Sequence, residues 1–533
     1  MEFATIDYVV FALYAAIIMG IGLWVSRDKK GESKNASDYF LASKSLPWWA
    51  IGASLIASNI SAEQFIGMSG SGFRLGLAIA SYEWMAAVTL LIVAYLFLPI
   101  FLKKGIFTMP QFLEMRYDNR VRTILAIFWL LVFVFVNLTT VLHLGALAME
   151  KIMGANYWVA IIGLSLFAIV YSLYGGLKAV ALTDVVQVVF LIGGGLLTTY
   201  FALDAYSEGA GPIAGFNKLL ENAGDHFNMI LSPGDITFTD NGSVKDAYMD
   251  LPGLSVLLGG MWIANLYYWG FNQYIIQRAL AAKSLKEAQR GIAFAGYLKL
   301  LLPLIVVIPG IVAYAMAAPI EKADEAYPWL LGQYIDPGLK GLAFAALIAA
   351  VVSSLASMMN STSTIFTMDI YRQFINKNPS EADLVRTGRI VGFVAMVIAV
   401  IVAYPLLGAT DQVFQYIQEY TGFISPGVLA VFVLGLFWKK ATPNAALASA
   451  ILSIPLSIAF KAMTPGMPFM DRIGFVFLIS LALMIVISFA ENRGKNHEKG
   501  IELEKSFFTN DPVFAVAAFG ILGITTALYA AFW

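Results

Sequence analysis

Ala57-Ser58-Asn59-Ile60-Ser61-Ala62-Glu63-Gln64, with Gly67, Gly70 and Gly72 just beyond it, is the stretch on which the fold turns. It sits inside an otherwise apolar run, residues 47–71, and a membrane span needs ~20 such residues. Five of the seven residues 58–64 are polar. At membrane depth polar groups are costly, so they face a cavity or a packed interior. A continuous lipid-facing helix does not tolerate this pattern. A helix broken near residue 60 does, because its released carbonyls can coordinate a cation while side chains such as Gln64 face a cavity. The competing reading is an unbroken helix that packs small polar residues against its neighbours.

The surrounding chain is built for lipid. Its 533 residues are 59% hydrophobic and 13% charged, with mean hydropathy +0.75. So few charges cannot keep a soluble domain of this length dissolved. Fourteen apolar runs predict an all-α membrane protein with 14 transmembrane helices. They lie at 6–26, 47–71, 77–102, 122–150, 156–174, 179–204, 252–275, 288–318, 339–370, 387–408, 410–437, 442–462, 473–491 and 512–532. The first run lacks a preceding basic region and a cleavage site, and it reads as a retained span.

Charge supports the count. With the N-terminus outside, 25 of the 34 Lys and Arg residues fall in inward segments, among them Arg27, Lys29, Lys30, Lys34, Lys103, Lys104, Arg116, Arg122 and Arg278. Eight fall outside, and Lys299 lies within a span. An error of one helix would blur this bias, so both termini are expected outside.

Several function classes drop out. A net charge of −1 gives no reason to expect nucleic acid as a partner. There is no cysteine, and the three histidines, His143, His226 and His497, are too far apart to suggest a metal centre. Only the loops at about 206–250 and 319–338 are long, which leaves no room for a soluble enzyme domain. The phosphate-binding pattern GxxxxGK[ST] is absent, so no recognisable P-loop ATPase drives pumping. Transport then depends on an ion gradient or is passive.

The seventh span repeats the polar theme: Asn265-Leu266-Tyr267-Tyr268-Trp269-Gly270-Phe271-Asn272-Gln273. Asn265 and Tyr268, spaced i, i+3, share a helical face. An amide beside an aromatic ring suits a pyranose, whose hydroxyls bond the amide and whose C–H face stacks on the ring. The alternative is an interfacial aromatic belt. Glu83 in the third span and Lys299 in the eighth can serve sugar hydroxyls as acceptor and donor; the alternative for Lys299 is snorkelling to an interface. Gln418 lies in the eleventh span, with Phe414 one turn before it. Asp184, near the inner end of the sixth span, suits either an ion role or a helix start. Ser353 and Ser354, in Ala350-Val351-Val352-Ser353-Ser354, offer oxygen ligands to a hard cation such as sodium, or simply helix packing.

The two interrupted spans begin runs of five spans each, the second to sixth and the seventh to eleventh. An odd number per run gives the two opposite orientations. This is the inverted-repeat plan, with its site at the midplane. The expected organisation is a first helix at 1–26, repeats at 47–205 and 252–437, and three further helices at 442–533.

Asn59-Ile60-Ser61-Ala62-Glu63-Gln64-Phe65-Ile66-Gly67, Ala264-Asn265-Leu266-Tyr267-Tyr268-Trp269-Gly270-Phe271-Asn272-Gln273-Tyr274, Ser353-Ser354-Leu355-Ala356-Ser357 and Phe414-Gln415-Tyr416-Ile417-Gln418-Glu419-Tyr420 closely resemble the sodium/solute symporter family. The likeness runs over essentially the whole chain and is nearest to the family's bacterial sugar carriers. It implies a LeuT-type fold, alternating access, a bacterial inner-membrane location, and import of a hexose such as galactose or glucose with co-transported sodium. Sialic acid, nucleosides and amino acids are the alternative solutes. A passive channel wants a continuous polar stripe and a sensor wants an output domain, and neither is present.

By motif, the resemblance implies a sugar pocket of Gln64, Glu83, Asn265, Lys299 and Gln418. It implies Tyr268 as a stacking inner gate beside Trp269, with Met68, Tyr82 and Phe414 on the outer side. The implied sodium ligands are the carbonyls of Ala57, Ile60 and Ala350 and the hydroxyls of Ser353 and Ser354, with Asp184 on the ion's exit path. Ala86 departs from the pattern, since the bacterial sugar carrier that the chain most resembles has serine there. The oligomeric state is not legible from the sequence.

Overall fold

The computed structural model describes residues 3–25, 35–239, 242–408 and 412–533. Ser26, Arg27, Lys29, Lys30 and Lys34, and positions 410–411 at the head of the eleventh expected span, lie outside the described residues. The helices that position the site are α1 (Thr5–Val25), α2 (Trp48–Asn59), α3 (Ser69–Leu75), α4 (Ser81–Ile92), α5 (Tyr157–Tyr206), α6 (Gly260–Phe271), α7 (Gln273–Leu280), α8 (Leu285–Ala315), α9 (Leu339–Ile365), α10 (Val413–Thr421), α11 (Ser425–Phe437) and α12 (Pro512–Ala531).

Among the described residues, ten helices are long and apolar enough to cross a membrane, or up to twelve if each of two bent pairs forms one span. Fourteen spans were expected, and the difference has physical causes. The second expected span is broken: its first piece, Trp48–Asn59, is only 12 residues long, and its second runs on into the third expected span within Glu63–Lys103. The fifth and sixth are joined in α5, a helix of 50 residues. A straight α-helix of that length would reach ~75 Å, far beyond a hydrocarbon core of ~30 Å. It turns back instead. Glu325 pairs with Lys151, just before α5, at 2.8 Å, while Tyr327, two residues on, donates to Thr198 in the last quarter of α5 at 3.1 Å.

The lipid-facing surface is apolar, with Phe519 76% and Val189 68% exposed. The centre is the opposite case. In the span that holds α9 and its π-helical continuation to Ile375, 94% of the most apolar window is buried. Three cations expected in inward loops, Arg116, Arg122 and Arg278, are also buried, each held by carbonyls, hydroxyls or carboxylates.

Both expected interruptions are present. α2 ends at Asn59, and Ile60 is extended with φ −74° and ψ 107°. A π-helical segment, Glu63–Met68, and α3 continue the chain. In the second case the helix runs on through Asn265, and the interruption falls later, at Asn272, with φ −79° and ψ 120°. Each break follows a helix of 12 residues.

The two chains cross in opposite senses. Asn59 meets Tyr268, Ser54 meets Arg278, and Leu46 meets Ala281. One strand's ascending residues therefore pair with the other's descending ones. α8 runs alongside the first chain in the same direction, and Lys299 lies level with Asn59. Gly310 of α8 lets it press on α3, since a Cβ there would come 2.1 Å from the carbonyl oxygen of Ser69.

Candidate functional site: a cavity between two interrupted helices

The cavity at this crossing is lined by Asn59, Glu63, Gln64, Tyr82, Glu83, Ala86, Asn265, Tyr268, Trp269, Lys299, Phe414, Gln418 and Ser425, among others. Gln64, Glu83, Asn265, Tyr268, Lys299 and Gln418, six positions scattered over more than 350 residues of sequence, thus share one chamber. Of the expected gate residues, Tyr82, Trp269 and Phe414 line it as well. Met68 is fully buried but is not part of the lining.

Each side chain has a local reason for its position. When α2 stops at Asn59, the N–H of Ser61 no longer reaches back to the carbonyl of Ala57. It donates instead to Oε1 of Gln64 at 2.9 Å, and the Ser61 hydroxyl donates to the same atom at 3.2 Å. This turns the Gln64 amide into the chamber. Glu83 and Ala86 share one face of α4 by their i, i+3 spacing. Tyr82 and Phe414 meet edge to face at 5.1 Å and cover one side.

Lys299 is 1% exposed, so it does not snorkel. Its Nζ donates to Oε2 of Glu83 and Oδ1 of Asn59, and it lies 4.9 Å from the centroid of the Trp269 ring. A buried ammonium survives only when paired and hydrogen-bonded, and both conditions hold here. Asn59 in turn donates through Nδ2 to the Tyr268 hydroxyl at 2.9 Å, which shares a hydrogen bond with the Tyr274 hydroxyl. Glu83, Lys299, Asn59, Tyr268 and Tyr274 form one chain of contacts across both interruptions. The buried amide nitrogen of Asn265 and one Glu63 oxygen have no hydrogen-bond partner among the described residues. Uncommitted buried polar atoms of this kind are groups a polar cargo can satisfy.

The cavity measures about 60 Å³. Ordinary ligand pockets hold roughly 300–1,000 Å³. The arrangement is a contracted one, and a hexose requires it to widen.

The expected cation ligands lie next to this chain. Ser353 donates to Oδ1 of Asp184 and Ser54 to Oδ2, both at 2.5 Å. Ser354 donates to the carbonyl of Ser58 at 3.1 Å, tying α9 to the end of α2. The Ser58 and Ser357 hydroxyls are 2.9 Å apart. Ala57, Ile60, Ala350, Ser353 and Ser354 are all buried, so the oxygens there are shielded from water and suit a hard cation. Asp184 does not begin a helix. It is fully buried within α5 and bonded directly to Ser353.

Sequence reasoning passed over Asn59, Arg278, Ser54 and Ser357 as site residues. Arg278 donates to Ser54, to Ser357 and to the carbonyl of Tyr274, so it joins the Tyr274 end of the first network to the Asp184 end of the second. The available signal for Asn59 was its place as the last residue before the break. For Arg278 it was a lone cation two turns into an otherwise neutral half-helix.

The comparisons with known proteins agree in direction. Residues 39–453 match the Sodium:solute symporter family. The chain is 53% identical to the sodium/glucose cotransporter of Vibrio parahaemolyticus over 99% of its own length and 98% of that protein's. It is 35% identical to sodium/myo-inositol cotransporter 2 of Mus musculus, covering 85% of this chain and 69% of that one. Among solved structures it is similar to a Na+-coupled sialic acid symporter in a substrate-bound outward-open state, with TM-score 0.78, 24% identity, and coverage of 91% and 98%. That last likeness concerns the fold.

Proposed function

This chain belongs to the sodium:solute symporter family, and from that premise we propose that it imports a hexose such as galactose or glucose with sodium by alternating access. It is a transporter and not an enzyme, and sodium is its co-transported ion. The observation that carries the sugar reading is the chamber itself. It combines two carboxylates, an ammonium, four amides and aromatic rings around one buried volume. A neutral polyhydroxylated ring uses acceptors, donors and a stacking face together.

Gln64, Glu83, Asn265, Lys299 and Gln418 bind the sugar's hydroxyls in this proposal. Tyr268 and Trp269 close the inner side, and Met68, Tyr82 and Phe414 close the outer side. Sodium binds the carbonyls of Ala57, Ile60 and Ala350 and the hydroxyls of Ser353 and Ser354, and it leaves past Asp184. Sodium at this position ties α2 to α9 and holds the break that aims Gln64. The contacts from Glu83 to Asp184 give that coupling a physical route, with Tyr274 joining them through its hydroxyl on the Tyr268 side and its carbonyl on the Arg278 side. Sodium and sugar then raise each other's affinity by the same factor.

The finer architecture belongs to the same proposal: 14 spans, LeuT-type inverted repeats at 47–205 and 252–437, both termini outside, and a bacterial inner-membrane location. The matched breaks at Ile60 and Asn272 support it. Ala86, a methyl where the bacterial sugar carrier that the chain resembles has a hydroxyl, favours a different preference among hexoses over a different class of cargo. Losing one hydrogen bond shifts affinity by ~0.5–1.5 kcal/mol.

The test is uptake of labelled galactose, glucose, myo-inositol and sialic acid into proteoliposomes with and without a sodium gradient. Sodium-driven hexose accumulation is expected. Equal accumulation without sodium removes the coupling, and uptake of sialic acid in place of hexose removes the sugar assignment.

A further inference from the structure

An apolar groove of about 310 Å³ lies between α4 with its π-helical continuation and α12, lined chiefly by Val88, Leu91, Ile92 and Tyr95 on one wall and by Phe514, Ala518 and Leu522 on the other. Its outer rim is open to the surrounding lipid, with Phe519 76%, Leu522 42% and Tyr95 38% exposed. At 1.5 Å per residue, the wall from Asn510 to Leu522 is ~18 Å long, close to the thickness of one leaflet's hydrocarbon.

The groove's polar end, at Asn510 and Tyr95, lies where cations gather. Lys103 sits over the Phe507 ring at 3.9 Å, Lys104 is exposed beside it, and Lys286 and Arg290 flank Asp511. Glu504, which pairs with Lys103 at 3.5 Å, Asp511 and Glu287, a neighbour of Arg290, offset three of these four positive charges, so the patch keeps a net positive charge with Lys104 unpaired by a salt bridge among the described residues. We propose that this groove seats one acyl chain of an anionic phospholipid from the Lys103–Lys104 side of the membrane, with its headgroup on Lys103 and Lys104.

The position gives the lipid a lever on transport. At 100° per residue, Val88, Leu91, Ile92 and Tyr95 point about 180° away from Tyr82, Glu83 and Ala86 on the same helical run. The seated chain therefore backs the face opposite the chamber. The π-helical turn Val93–Phe97 sits at this spot, a feature common beside functional sites.

The experiment is native mass spectrometry of the full-length protein offered phosphatidylglycerol or phosphatidylcholine with identical chains. Preferential retention of one phosphatidylglycerol is expected. Lys104→Gln should weaken that preference by roughly fivefold, the worth of one basic residue at a membrane surface. Ala518→Trp, which fills the groove, should lower retention of both lipids. Val516→Trp, on the 75% exposed face of the same helix away from the groove, should leave both unchanged. Equal retention of the two lipids in the unaltered protein overturns the headgroup assignment. Equal effects of Ala518→Trp and Val516→Trp, or none from either, overturn the groove.

Discussion

Lys299 and Glu83 illustrate what a buried ion pair is for. Two charges with side chains 1% and 4% exposed are poor stabilisers by themselves, because desolvation offsets their attraction. Their value is to hold a donor and an acceptor ready in a dry chamber. Lys299→Met leaves Glu83 buried without its partner and should destabilise the protein by ~3–5 kcal/mol. Lys299→Met with Glu83→Gln should recover most of the melting temperature and none of the uptake. A single variant that melts and transports like the parent would show that the pair is neither buried nor needed.

Ser354→Ala removes one proposed sodium ligand and the bond to the Ser58 carbonyl. The expected result is a sodium half-saturation raised by up to about tenfold, the equivalent of one lost hydrogen bond, with the maximal sugar rate retained. An unchanged sodium requirement would place the ion elsewhere. At this scale the sequence was informative wherever a polar residue stood out against apolar neighbours, as Gln64, Glu83, Asn265 and Lys299 do. Ser54 and Ser357 were illegible because serine in a helix is more often a packing residue. Their part depends on Arg278, which is distant from both in the chain.

At the level of elements, the first interruption was legible and the second was displaced. The polar run at 58–64 names its break because the residues that terminate α2 also use the freed groups. In the second chain the polar and aromatic signal begins at Asn265, yet that residue stays helical and the backbone turns only at Asn272. Side-chain chemistry facing a cavity and backbone interruption are separate requirements, and here they are separated along the chain. The junction within α5 was read as a loop between two spans, whereas the chain turns back there without leaving helical backbone.

Glycines give this scale its test, because two of them stand at contacts with different duties. A Cβ at Gly310 would meet the Ser69 carbonyl oxygen at 2.1 Å and the Phe73 nitrogen at 2.9 Å. Neither is a flexible side-chain end, so Gly310→Ala must part α8 from α3. A loss of ~1–3 kcal/mol is expected, read as a lower melting temperature. A Cβ at Gly67 would meet Cβ of Phe414 at 2.9 Å. That contact lies on the proposed outer closure, so Gly67→Ala should cut the maximal uptake rate while the melting temperature falls less than in Gly310→Ala. The reverse ranking would mean that the contact at Gly67 is static packing.

For the whole molecule, composition and the distribution of Lys and Arg indicated a membrane protein, while the number of crossings depended on how broken and joined helices are counted. What the complete assembly adds is an account of which charge moves. Within the chamber Lys299 is matched by Glu83, and across the second network Arg278 shares Ser54 with Asp184. In the proposed mechanism these paired charges stay in place and the sugar is neutral, so sodium carries the net charge inward. An inside-negative potential of 100 mV then contributes ~2.3 kcal/mol per sodium, or roughly fifty-fold in the attainable accumulation ratio. Proteoliposomes given equal sodium on both sides and a potassium diffusion potential should therefore concentrate sugar, with the logarithm of the accumulation ratio proportional to the imposed voltage. The slope of the logarithm of accumulation against potential reports the number of sodium ions moved with each sugar. Accumulation that ignores the potential would require a counter-charge to move with sodium, and would contradict the assignment of Lys299 and Arg278 as fixed, neutralised cations.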